Sequence, residues 1–176
     1  MSTRGLFGVR QAGRTKGLYI PNDSYPEGFG KKLLERIADR QWDKKYLARM
    51  FDKLAATEDL NRITGTSCCK VTDAFDALGY GFDSNCDYYY EDNTPFIIDS
   101  LFCEYAYIID LDTNMLEYYL GFQKEPQPGN PYGTDSSEHD YYPCKGMFKV
   151  PLSRINSDSI PVIIKRMDDV DEIRED

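Results

Sequence analysis

The chain holds one histidine, His139, and one tryptophan, Trp42, among 176 residues. A single histidine excludes any site that needs several imidazoles. The five cysteines are Cys68, Cys69, Cys86, Cys103 and Cys144, odd in number, irregular in spacing and without a CxxC pair. That pattern lacks the spacing of a zinc site with four nitrogen or sulfur ligands. Free thiols acting as small hydrophobes fit better, so no metal and no other cofactor is expected. No apolar run approaches the roughly 20 residues that span a bilayer, and the N-terminus lacks the apolar stretch of a secretory signal. The expectation is a cytoplasmic chain in a reducing compartment, without membrane contact.

Charge of one sign is scarce only in the second part. Residues 1–56 carry 12 Lys/Arg against 6 Asp/Glu; residues 57–176 carry 9 against 24. The net charge of −9 is therefore a basic segment joined to a strongly acidic one. Such asymmetry bears on partners, not on fold. At a pI near 4.7, direct DNA binding is not expected. The basic residues between Lys31 and Lys53 alternate with Glu35, Asp39, Asp43 and Asp52, as on a solvated, ion-paired helix surface.

Hydrophobic periodicity divides the chain into elements. Residues 2–10 and 15–20 read as two strands around a turn at Gln11–Arg14, with Gly13 suited to positive φ. Two prolines and two glycines mark 21–30 as an ordered loop. Phe29, Leu33, Leu34, Ile37 and Ala38 share one helix face; Tyr46, Leu47, Met50, Phe51 and Leu54 share another, behind Asp43 as N-cap. Residues 57–67 are turn-rich, and Val71, Ala74, Phe75 and Leu78 define a short helix stopped at Gly79. Residues 83–94 read as a surface loop or an edge. Cys103–Asp110 and Leu116–Phe122 form a β-hairpin turned at 111–114. The stretch 123–144 is a long proline- and glycine-containing loop, of the kind that is functional or mobile. A short strand follows at 146–150, 160–167 fits strand or helix, and 168–176 is an acidic tail expected to fray.

Chemistry is suggested first at the N-terminus. Removal of Met1 would leave Ser2 with a hydroxyl beside its own α-amine, which titrates near pH 8 and can act as its base. Ser2-Thr3-Arg4 on a strand, followed by Asn22-Asp23 in a loop, resembles the opening of N-terminal-nucleophile hydrolases of the penicillin acylase and bile-acid hydrolase type. The resemblance implies an amidohydrolase with Ser2 as nucleophile and Asp23 and Arg4 in support, Arg14 being the other arginine for that role. Serine stands where that family usually has cysteine. A second resemblance covers more of the chain. Ser2-Thr3-Arg4-Gly5, the run Asp23-Ser24-Tyr25-Pro26-Glu27-Gly28-Phe29-Gly30 and the hairpin residues 107–112 are similar to small uncharacterised proteins of bacteria, prophages and phages. That resemblance implies a mobile-element setting and, for a phage protein, the host cytoplasm.

Tyrosine is abundant, with 14 copies. Tyr88, Tyr89, Tyr90, Tyr141 and Tyr142 fall in expected loops, where a rigid apolar ring with a polar tip suits recognition. Asn22, Tyr25 and His139, which sits between Glu138 and Asp140, complete the candidate binding set.

These readings give an α+β fold of one domain, 1–167, with the tail 168–176. Its mainly antiparallel sheet comes from the N-terminal hairpin, 102–122 and 146–150, with the helices of 29–55 on one face and an N-terminal-nucleophile-hydrolase arrangement as an extension. Three functions are expected in turn. The first is a binding or inhibitory protein that engages a host protein or a small nucleotide-like ligand. The second is the Ser2 amidohydrolase. The third is an acidic mimic of nucleic acid.

Overall fold

A computed structural model describes residues 2–55, 70–71, 73–80 and 89–173. Strands β1 (Gly5–Gln11) and β2 (Arg14–Ile20) form the expected N-terminal hairpin. Its two-residue loop, Ala12-Gly13, has φ of 51° and 73°, the positive values that match strand twist in tight hairpins. One π-helical turn (Pro26–Gly30) leads into α1 (Lys31–Ala38), and α2 (Lys44–Lys53) follows. Asp43 caps α2 as its sequence suggested, its carboxylate accepting the Tyr46 N–H at 2.8 Å. The short strands β3 (Leu54–Ala55), β4 (Lys70–Val71) and β5 (Tyr89–Glu91) make a small parallel sheet in the order β3-β5-β4. Helix α3 (Ala74–Tyr80) runs through Gly79, where a stop was expected. The turn-rich reading of 57–67 lies outside the described residues.

The main sheet has the order β2-β1-β6-β7-β8, with β6 (Tyr105–Asp110), β7 (Met115–Leu120) and β8 (Lys145–Pro151). Every pairing is antiparallel except β1 with β6. The α+β class and the mainly antiparallel sheet are as the sequence implied. The ambiguous stretch after residue 159 is helix α4 (Ile160–Glu172). Asn156 builds its entry, the side-chain oxygen accepting the N–H groups of Asp158 and Ser159, and Ile160, Ile163, Ile164 and Met167 are buried. The boundary expected at 167 thus falls inside α4, with Val170 still against the core.

The sheet is covered on both faces, unlike the one-sided arrangement that strict alternation suggests. Phe7, Val9, Tyr107, Ile109, Tyr118 and Leu120 pack against α1, α2 and α4. On the other face, Leu6, Ala106, Ile108 and Tyr119 meet Ile97 and Cys144 under the 3₁₀ turn Thr94–Ile98 and the loop 121–144. Gly8 and Gly17 on this side leave room for the Ile108 and Leu6 side chains of the neighbouring strands. Both edges are blunted against further pairing. Asp92 and Asn93 satisfy the outer groups of Gly17 and Tyr19 on β2. At the other edge, β8 carries Lys145, Lys149, Pro151 and a bulge opposite Tyr118/Tyr119.

The chain's beginning is held beside the proline–glycine bend. The Ser24 N–H donates to the Thr3 carbonyl at 3.3 Å, and the Tyr107 hydroxyl donates to the Ser24 carbonyl at 2.7 Å. Asp23 turns the backbone with φ of 49°, and its carbonyl accepts the Phe29 N–H at 2.7 Å. A Cβ on Gly28 would lie 2.3 Å from that same carbonyl oxygen. Gly28→Ala is therefore expected to lose about 2 kcal/mol through overpacking, read as a lower urea midpoint at unchanged slope. Gly129→Ala, at φ of 78° with nothing within 4 Å of the added carbon, separates backbone strain from collision. Its smaller loss in the same titration is the comparison.

A second expectation concerns α4. Burial first, then the facing Glu27 and Asp171, push the Asp168 carboxyl above its usual range. A raised carboxyl favours the fold only while protonated, so its charge works against the fold as pH rises through the folded value. Asp168→Asn should raise Tm at pH 7. The gain should vanish below about pH 3.9, the unfolded aspartate value.

Candidate functional site

Two groups of side chains stand out: a buried charge cluster beside a cleft, and an aromatic surface. The cluster begins with Arg10 near the end of β1. Parallel pairing places it beside Asp110 of β6, and the antiparallel β6–β7 ladder brings Glu117 onto the same face. The guanidinium contacts Asp110 Oδ2 at 3.3 Å and Glu117 Oε2 at 3.0 Å, and donates to the Tyr132 hydroxyl at 3.0 Å and Thr15 Oγ1 at 3.2 Å. Glu117 Oε2 also accepts from the Tyr119 hydroxyl at 2.7 Å, and Oε1 meets Lys149 Nζ at 2.6 Å. Glu117 is only 2% exposed.

Removing such a carboxylate from water costs several kcal/mol unless partners restore its contacts. Here burial alone would raise the Glu117 pKa. Hydrogen bonds from Arg10, Lys149 and Tyr119 outweigh it and hold the carboxyl below its usual range. Burial works against the Arg10 charge too, but Glu117, Tyr132 and Tyr119 together more than offset it and push that pKa up. Burial and Glu117 together push the Tyr119 hydroxyl up. At neutral pH the cluster is fixed as ions joined to a neutral phenol. Glu117 therefore serves as an acceptor and counter-ion, not as a proton donor.

Beside this cluster lies a cleft of about 550 Å³ between β7, β8 and the loop residues 127–131. The β-bulge places Met147 as the extra residue of β8 on the cleft wall. Bulges recur where a strand must re-aim side chains next to a site. A smaller, polar cleft of about 460 Å³ lies among Lys32, Glu35, Arg36 and Asp39.

The aromatic surface joins three distant segments. The Arg4 guanidinium lies 4.6 Å from the centre of the Phe102 ring, and His139 meets Phe102 edge-on at 4.9 Å. His139 Nδ1 is 2.6 Å from Asp99 Oδ2. Phe122, 37% exposed, meets Tyr141 at 6.5 Å, with Lys124 Nζ 5.8 Å from the Tyr141 centre. Phe122 has φ of 56°, a costly conformation for a bulky side chain. Its N–H donates to the Ser100 carbonyl at 2.7 Å, and the Tyr142 N–H donates to the Gln123 carbonyl at 2.9 Å. These bonds hold segments 99–102, 121–124 and 137–142 together.

Of the residues singled out in the sequence, Arg4, His139 and Tyr141 thus share one surface, with Tyr142 half-buried beside it. The nucleophile set is less concentrated. Ser2 is exposed, and its hydroxyl donates to the Pro21 carbonyl at 2.6 Å. Asn22 and Asp23 are exposed on the adjoining bend, and Tyr25 is 39% exposed there. Ser2, Arg4 and Asp23 line neither cleft. Tyr89 and Tyr90 lie on β5; Tyr88 lies outside the described residues. Among the described residues there is no group of three or more metal-binding side chains, and no helix is long and apolar enough to cross a membrane. No family model, curated protein or solved structure matches the chain.

Sequence reasoning missed Arg10, Glu117, Lys149, Phe122 and Tyr132. The available signal was Glu117 itself, a charge inside Leu116-Glu117-Tyr118-Tyr119-Leu120. Glu117→Gln should destabilise the fold by on the order of 3 kcal/mol at pH 7, by leaving buried Arg10 short of a counter-charge. A depressed carboxyl contributes its stability above the unfolded value and loses it as pH falls through the folded one. The penalty, measured by urea unfolding, should hold from pH 7 to about 4.3 and shrink below it.

Proposed function

We propose that this chain is a binding protein that docks a protein partner on the surface formed by Phe102, Phe122, His139 and Tyr141. The observation that carries this reading is Phe122. Backbone bonds hold it half-exposed at positive φ, a conformation that carries a steric cost for a bulky side chain. Strain kept in a surface aromatic residue is a pointer to use. Aromatic rings with arginine, half-desolvated and surrounded by polar groups, are also the composition of interaction hot spots. Glu104 accepts the Arg4 N–H at 3.2 Å and Glu138 lies 4.0 Å from His139 Nε2, while Arg4 and Lys124 lie over the Phe102 and Tyr141 rings, so the surface offers a partner charges of both signs around an apolar anchor. The likeness to small phage and prophage proteins adds a setting, in which the partner is a host protein and binding inhibits or sequesters it.

The test is affinity capture with the wild type, Phe122→Ala, Tyr141→Ala and Ser2→Ala, followed by affinity measurement on the captured partner. Each aromatic truncation should cost about 2 kcal/mol, close to thirtyfold in Kd, while Ser2→Ala binds as the wild type does. Unchanged affinity in both aromatic variants would remove the reading. Loss of function confined to Ser2→Ala, with Met1 absent from the intact mass, would put the amidohydrolase in its place. Competition between DNA and this chain for a DNA-binding partner would identify the acidic-mimic form of the same docking.

A further inference from the structure

The geometry points to a second, separate binding site: the cleft between β7, β8 and residues 127–131 takes a small aromatic anion, held by Lys145 and Lys149. The volume of about 550 Å³ lies within the range of small-molecule sites. Three cationic side chains, Arg10, Lys145 and Lys149, line it against one carboxylate, Glu117. A cationic concavity on a chain of net charge −9 concentrates anions locally.

The cations are not equivalent. Arg10 is committed to Asp110, Glu117, Tyr132 and Thr15, so it sets the field and does not grip a ligand. Lys149 spends one contact on Glu117 and is 57% exposed. An ammonium has three donors, so two remain for an entering anion. Lys145 is exposed on the same strand. Glu117 stays ionised beneath Lys149 and keeps that ammonium at the cleft wall. The walls explain the aromatic part. Pro128 and Pro131 from the loop and Met147 from the bulge are apolar, and Tyr119 adds a ring whose hydroxyl is already bonded to Glu117. A flat apolar body is accepted there without stranding a polar group. A carboxylate or a phosphate would supply the same charge.

The experiment follows the amides of Gly129 and Gly146 in isotopically labelled full-length protein during titration with four probes. They are adenosine monophosphate, benzoate, adenosine and inorganic phosphate. The nucleotide or benzoate should shift both amides saturably, and the stronger of the two identifies phosphate or carboxylate as the anion. Adenosine and phosphate should each bind at least ~10-fold more weakly, since charge and ring are both required. Lys145→Gln combined with Lys149→Gln should weaken the aromatic anion by a further factor of ~10 or more. Lys145→Gln alone, a change on an exposed side chain, gives a partial loss and remains informative if the double variant does not fold. The site is overturned if neither aromatic anion shifts these amides. It is equally overturned if adenosine binds as tightly as its monophosphate, if phosphate alone binds as tightly, or if the folded lysine variants bind unchanged.

Discussion

The guanidinium of Arg10 is the contact on which the architecture turns. It lies between β1 and β6, the one parallel pair in the main sheet, and gathers Asp110, Glu117, Thr15 and Tyr132. A parallel pair cannot be closed by a tight turn. Here the connection runs from the end of β2 through the helices and the small sheet before β6 begins. The loop-closure entropy of so long a connection must be offset by contacts made at the join. Hydrophobic contacts supply most of the energy but tolerate sliding. The ion cluster does not, because a shift of one residue would leave Arg10 or Glu117 buried without its partner. The turns repeat the constraint, with Asp112 of the second hairpin accepting the Ala12 and Gly13 N–H groups of the first at 2.8 and 2.9 Å.

The same cluster explains why loop 121–144 belongs to the fold and is not an appendage. Tyr132 reaches Arg10, and its ring meets Tyr119 at 5.6 Å. The Asn130 side chain donates to the Cys144 carbonyl, and the Cys144 N–H donates to the Ile97 carbonyl. Anchored at these points, the loop covers the second sheet face with little regular structure of its own. Its proline and glycine content is then a requirement for following that face. The two surfaces of interest sit on different parts of it, residues 127–131 at the cleft and 121–124 with 137–142 at the aromatic surface.

Local patterns in the chain were enough to recover much of this architecture. The 105–120 hairpin, the Asp43 cap, the apolar stripes of α1 and α2 and the Ala12-Gly13 turn follow from spacing and local chemistry. So does the assembly of the N-terminal hairpin, 105–120 and 146–150 into one sheet. The parallel join did not, because nothing local encodes which strand lies beside β1. The second covered face did not either. Glu104, Asp110 and Glu117 on β6, β7 and their approach suggest a solvent side by alternation, and only the tertiary arrangement shows Arg10 and Lys149 neutralising Asp110 and Glu117. Helix α4 was ambiguous because Ile160-Pro161-Val162-Ile163-Ile164 is β-branched and apolar. Asn156 and the proline in the first turn decide it.

At the candidate sites the division is similar. His139 and Tyr141 were legible as residue types suited to recognition, whereas Arg4 was read as a support for Ser2 and lies against Phe102 beside His139. Phe122 was read as the last residue of a strand face, a role its positive φ denies it. Phe122 shows how the two levels are coupled. Its N–H donates to the Ser100 carbonyl and the Gln123 side chain donates to the carbonyls of Leu120, the end of β7, and Gly121, so the chain leaves the sheet at a fixed angle. The positive φ at Phe122 thus sets both the exit of the loop from the sheet and the exposure of the ring, so the backbone cost falls where the aromatic surface is presented.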